Sequence, residues 1–138
     1  MSIIDSLRSF IQEKCPLLSE DGRINVNYLS NEAVEYSIEE VPSDPLIKRY
    51  TDGDELRRFI FYFASRENYN ENILANIKNS EFYEQFSDWV DSLTELPVLG
   101  DKKQAQRLEC TTGGYIAYNE IGNARYQIQM RLVYIKRK

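Results

Sequence analysis

The sequence predicts one α+β domain spanning residues 1–138: a single mixed, largely antiparallel sheet packed by about three helices, in the order α-β-β-β-α-α-β-β-β. Three observations lead to this reading. Leu56 to Ser65 is rich in Phe, Tyr and Ile, residues that suit a pleated, half-buried surface. Its two faces, Phe59, Phe61, Phe63 and Ile60, Tyr62, Ala64, are both apolar, which marks a central strand with something packed on each side. Phe82, Phe86, Trp89, Val90 and Leu93 then recur at the spacing of one helix face, a cover for such a strand. Finally, Ala124 to Lys136 alternates cleanly, with Tyr126, Ile128, Met130, Leu132 and Tyr134 set against Arg125, Gln127, Gln129 and Arg131. The predicted core is Phe59, Phe61, Phe63, Phe82, Phe86, Trp89, Ile128, Met130 and Leu132.

The elements follow in order. Ser2-Ile3-Ile4-Asp5 has the form of a capping box, and Ile3, Ile4, Leu7, Phe10 and Ile11 mark one helical face. Pro16 stops that helix near Lys14, because the residue before proline avoids helical geometry. After a turn at Asp21-Gly22, Ile24, Val26, Tyr28 and then Val34, Tyr36, Ile38 alternate with polar residues. Two such runs around Leu29 to Glu32 read as an antiparallel hairpin with one wet face. Val41 to Glu55, with two prolines, aspartate-rich turns and Gly53, reads as a loop that is long for a plain connection. The segment RENYNEN, residues 66–72, reads as a turn after the central strand, and two helical pieces follow, broken near Lys78-Asn79-Ser80. Thr94 to Lys103 is a second loop, and Arg107 to Thr112 a short strand. Gly113-Gly114 forms a bend, and Tyr115 to Tyr118 pairs with the last strand through a loop at Asn119 to Asn123.

Composition narrows the function. A chain of 138 residues buries roughly two-thirds of its unfolded surface and needs neither disulfide nor metal to fold. The net charge of −5 and pI near 4.9 argue against a general nucleic-acid binder. No apolar run approaches membrane-spanning length, and MSIIDSLRSFIQEK lacks a signal-peptide core, so the expected site of synthesis and assembly is the cytoplasm. Cys15 and Cys110 read as buried free thiols. The charge is uneven: Arg125, Arg131, Lys136, Arg137 and Lys138 follow Asn123 with no acid among them. Two readings stay open: a solvated basic tail on an acidic surface, or a subunit whose opposite ends attract one another across an assembly contact. Two candidate interface segments follow: Asp44, Pro45, Leu46, Ile47 and Tyr50 in the long loop, and Lys136, Arg137 and Lys138 at the basic end.

The chain contains no histidine. The usual general base, the usual zinc ligand and every Ser-His or Cys-His pair are therefore missing. No glycine-rich phosphate loop occurs, and nothing in the sequence makes the acidic clusters Glu39-Glu40, Asp52/Asp54/Glu55 and Asp88/Asp91 converge. The expectation is no catalytic, cofactor-binding or metal-binding residue and no cofactor: an assembly or binding protein and not an enzyme.

Four stretches carry a resemblance: INVNYL (24–29), AVEYSIEEVPSDPLIKRY (33–50), FASRENYNENILANIKNSEFYEQFSDWV (63–90) and GNARYQIQMRLVYIKR (122–137). Together they resemble a family of small phage tail proteins from Gram-positive hosts, the tail terminators or tail completion proteins. The run Phe82 to Trp89 is its most specific part. Some members carry a chloramphenicol-resistance label; the acetyltransferase behind that label uses a catalytic histidine, which this chain lacks. The resemblance implies a small α+β subunit that closes into a homohexameric ring at the head-proximal end of a virion tail. Its implied partners are further copies of itself, the tail tube protein, the sheath protein where the tail has one, and neck or connector proteins. DNA passes through the lumen without specific binding, and no membrane is involved. Another neck, connector or baseplate role in the same kind of particle is the alternative.

Overall fold

A computed structural model describes residues 2–18, 24–26, 35–68, 73–120 and 123–138. Helix α1 spans Ile3–Lys14 and helix α2 spans Ile73–Asp91. The strands are β1 (Ile24–Val26), β2 (Glu35–Val41), β3 (Leu46–Arg49), β4 (Glu55–Asn68), β5 (Lys103–Cys110), β6 (Tyr115–Glu120) and β7 (Asn123–Lys136). All seven lie in one sheet, with β1, β2, β4, β7 and β5 side by side, β3 paired to β4 and β6 paired to β7.

The sheet is built on one long ladder. β4 and β7 run antiparallel over fourteen residues each, from Glu55 opposite Lys136 to Asn68 opposite Asn123. Each flank of this ladder is two short strands laid end to end. β2 covers Ile60 to Arg66 of β4, and β3 covers Glu55 to Arg57. On the other side β5 pairs with Met130 to Lys136 of β7, and β6 with Asn123 to Gln127. The two breaks have different causes. Pro42 and Pro45, between β2 and β3, have no N–H to give a ladder. Between β5 and β6 the chain passes beneath α2 at Gly114, where any Cβ would collide with the Tyr83 side chain.

α1 begins at Ser2, whose Oγ accepts from the Asp5 N–H at 3.2 Å, and ends at Lys14 with Cys15 as its cap, as Pro16 requires. It buries Leu7, Phe10 and Ile11. The core lies between the two helices and the face of the sheet that carries Ile38, Phe61, Phe63, Ile128, Met130 and Leu132, all fully buried. Phe86 stacks on Phe63 with ring centroids 4.5 Å apart, and Phe82 stacks on Tyr36. Phe59 and Phe82 pack partly buried at the rim of this cluster. Trp89, expected between helix and sheet, is half-buried between the two helices, 6.2 Å from Phe10 and 5.7 Å from Phe86.

Six expectations need correction. Among the described residues there are two helices and not three, of 12 and 19 residues. The expected break at Lys78 to Ser80 is absent. Asn and Ser each cost a helix only some tenths of a kcal/mol, and the buried row Tyr83, Phe86, Val90 anchors α2 on the sheet. The segment 41–55 contains β3, so the order becomes α-β-β-β-β-α-β-β-β; flanking prolines and a four-residue length hid it. β1 is parallel to β2, not its hairpin partner. Period-2 alternation reports which face is apolar but is blind to chain direction. Residues 66–68 continue β4 instead of turning. Lastly, no described helix covers the second face of β4, although Ser37, Ala64 and Gln127 on that face are buried. The expected turns at Asp21-Gly22 and Leu29–Glu32, and the remainders of the 66–72 turn and the Asn119–Asn123 loop, lie outside the described residues.

Candidate functional site

Both predicted interface segments meet at one end of the sheet, the end where β3 starts the flank of β4 and β7 finishes. Asp44 opens it: its Oδ1 accepts from the Leu46 N–H at 3.1 Å, a turn that the Asx side chain makes by itself. Arg58 donates through Nε to the Asp44 carbonyl at 3.0 Å, and its N–H donates to the Pro45 carbonyl at 2.9 Å. β3 then pairs with the start of β4, leaving Ile47 40% exposed with Lys48 and Arg49 beside it in solvent. Lys48 sits over the ring of Tyr50 at 5.2 Å. The Tyr50 N–H donates to the Asp54 carbonyl at 2.8 Å and Gly53 N–H to the Tyr50 carbonyl at 3.0 Å, closing the hairpin. Gly53 has φ +95, a left-handed geometry that only glycine adopts cheaply.

The basic end joins this hairpin. The Lys138 N–H donates to Asp54 Oδ1 and the Arg137 guanidinium to Asp54 Oδ2, each at 3.0 Å. Lys136 stands opposite Glu55 on one side and Lys103 on the other. Glu55 holds two guanidinium groups, Arg49 at 2.9 Å and Arg57 at 2.8 Å. The Lys138 N–H and Arg137 hold the Asp54 carboxyl below the usual carboxylate range, and the hydrogen bonds from Arg49 and Arg57 do the same for Glu55. Cations prevail here: Lys48, Arg49, Arg57, Arg58, Lys136, Arg137 and Lys138 face Asp44, Asp52, Asp54 and Glu55.

The diagonally opposite corner has the reverse sign. Glu81, Glu84 and Asp88 are exposed on α2. A groove of about 470 Å³ runs between that helix and Gly113-Gly114, lined by Ser80, Tyr83, Glu84, Ser87 and Asp88. Beyond it β6 begins with Tyr115 and Ile116, 41% and 40% exposed. Tyr83, which the sequence reading passed over, forms the floor. It is buried, its hydroxyl donates to the Tyr126 carbonyl at 3.1 Å and it shares a 2.7 Å hydrogen bond with Ser65 Oγ. Its signal was available: Tyr83 lies three residues before Phe86 and seven before Val90, on the same helical face.

Neither cysteine is an activated thiol. Burial raises the Cys15 thiol and pushes Cys110 up to about 11, against the lowering hydrogen bond from Ser87. Among the described residues no three His, Cys, Asp or Glu side chains are grouped to hold a metal ion, and no helix is long and apolar enough to cross a membrane. Compared with known families and with curated proteins, the chain matches no family model and no curated sequence.

Proposed function

We propose that this protein is a non-catalytic structural subunit of a phage tail, a terminator that forms a ring at the head-proximal end of the tube. The observation that carries the reading is the meeting of the 44–50 hairpin and the 136–138 end at one basic pole of the sheet, away from the acidic flank of α2. A tube grows by repeating one axial contact that never closes on itself, so its growth has no intrinsic end. A terminator must match the last ring on one side and present a different surface on the other. A subunit with two chemically unlike poles meets that demand. The sequence resemblance of residues 24–29, 33–50, 63–90 and 122–137 to tail terminators supports the same reading.

In this reading the partners are further copies of the chain in a homohexamer, the tube protein, the sheath protein where one exists, and the neck. The net acidity suits a conduit wall, since each cation that grips a phosphate holds DNA and makes its passage salt-sensitive. The protein resides in the virion after assembly in the host. Deleting the gene tests the role: filled heads without tails, and tubes of irregular and excessive length, are expected in electron micrographs. Normal-length tails joined to heads would exclude it.

A further inference from the structure

We propose that two copies of this chain join head to tail, the free edge of β3 in one adding as an antiparallel strand to the free edge of β6 in the next. Among the described residues β6 pairs with β7 alone and β3 with β4 alone, so each presents an outer row of backbone donors and acceptors. Such a row is a template for another strand unless it is blunted by charge. β5, on the same edge as β6, carries Lys103 and Arg107, like in sign to the Lys48 and Arg49 that blunt β3 toward any edge that is not neutral or acidic. From Thr111 to Tyr118 there is no charge at all, and Thr111 to Ala117 are exposed.

The topology fixes the direction. β4 and β6 run one way, and β7 and β3 run the other. A second copy set beside the first without inversion therefore brings its β3 antiparallel to β6, with the helices of both on one side. β3 lies opposite Glu55 to Arg57 of β4, and β6, through β7, opposite Ala64 to Asn68. The second copy is thus displaced by about ten residues along the strands, roughly 30 Å.

Charge selects this pairing over the alternatives. Arg49 pairs with Glu55 on the sheet face that carries Phe59, Phe61 and Phe63. Ile116, opposite Tyr126, lies on that same face beside the acidic groove. Adding β3 to β6 sets Arg49 of one copy over Glu84 and Asp88 of the other, with Ile47 and Ile116 losing their exposure. Pairing β3 with β3 would oppose Lys48 and Arg49 to themselves, a like-charge contact that costs several kcal/mol. The contact deepens the ring reading and rests on it for the number of copies; the pairing itself rests on the two edges.

Charge reversal on either side tests it. One variant carries Glu84→Lys and Asp88→Lys, the other Lys48→Glu and Arg49→Glu, and light scattering after size-exclusion reads the mass. The wild type is expected to self-associate at low salt and to loosen as salt screens the pair. Each variant alone is expected to lose at least about tenfold in association, a modest part of the like-charge cost. An equimolar mixture is expected to regain the wild-type mass, because each variant then offers a matching edge to the other; this also shows that both are folded. A wild type that stays single at low salt, variants that associate like the wild type, or a mixture that stays single would each overturn the contact. A single-chain wild type with tailless heads in the deletion strain would sink the contact and keep the tail role. Restored mixtures with normal tails in that strain would do the opposite.

Discussion

The two ends of the β4–β7 ladder are made of the same backbone bonds and held by different forces. Where β4 passes under the helices, Phe61 and Phe63 lie between Ile38 and the Ile128–Met130 pair, with Phe86 on top, and none of these side chains reaches solvent. At the other end Asp54 and Glu55 gather Arg49, Arg57, Arg137 and the Lys138 N–H at the surface. Apolar burial yields about 25 cal/mol per Å² and is little affected by salt. Exposed ion pairs contribute between nothing and about 1 kcal/mol and are screened. The stability of the fold therefore resides at the helix-covered end. The charged end can change its sequence or meet a partner at small cost to folding.

Substitutions can break this contrast or sharpen it. Phe86→Ala removes the ring stacked on Phe63 and should cost about 3–5 kcal/mol; a denaturant titration showing under 1 kcal/mol would mean that α2 does not anchor the fold. Gly114→Ala places a methyl against Tyr83 and should cost about 1–3 kcal/mol through overpacking. Its thermal midpoint should fall while a Gly113→Ala control, with open space around it, stays near the wild type. Trp89→Ala should cost about 2 kcal/mol, less than the loss of a fully buried aromatic, because its ring is only half-buried between α1 and α2.

Acid should act on the other end. Folding lowers the Asp54 and Glu55 carboxyls below their ordinary values, so their contribution is complete above the unfolded pKa near 4 and is lost as pH falls through the lower folded values. Below about pH 4 the Arg137 and Lys138 amides should exchange faster while those of Phe61 and Ile128 remain protected. Simultaneous loss of protection at both ends would show that the charged end is not a separate unit. The smallest effect on folding is expected from Ile116→Lys, within about 0.5 kcal/mol as for most surface changes; it charges the open edge of β6 and should weaken self-association all the same.

What could be read from the sequence follows the same division. The long strands were legible because β4 carries a dense run of Phe, Tyr and Ile from Leu56 to Ser65 and β7 alternates along most of its length, and their core residues Phe61, Phe63, Ile128, Met130 and Leu132 are buried. α1 was legible from its cap and its proline stop. β3 was not: four residues between Pro45 and the Tyr50 turn have no periodicity of their own, and their bonds come from β4. The direction of β1 was not legible either, since alternation is identical in parallel and antiparallel strands. At the candidate site, both segments were chosen for being apolar or basic in a polar context. Their convergence depends on β4 pairing Glu55 with Lys136, a contact across 81 positions of sequence that no local pattern encodes. The acidic groove by Gly114 was invisible for the same reason.

The staggered breaks in the flanking strands have a mechanical consequence. The gap between β2 and β3 falls beside Arg58 and Phe59 of β4, where β5 on the far side is continuous; the gap between β5 and β6 falls beside Gln129 and Ile128 of β7, where β2 is continuous. Like offset joints in brickwork, the two gaps never line up, so the sheet has no crease across which it can fold. A pull along the strands loads all fourteen rungs of the β4–β7 ladder together in shear and does not peel them one at a time. Stretching a single chain between Glu55 of β4 and Arg125 of β7, which lie at opposite ends of the ladder, should meet far greater resistance than pulling β6 away from β7 at right angles.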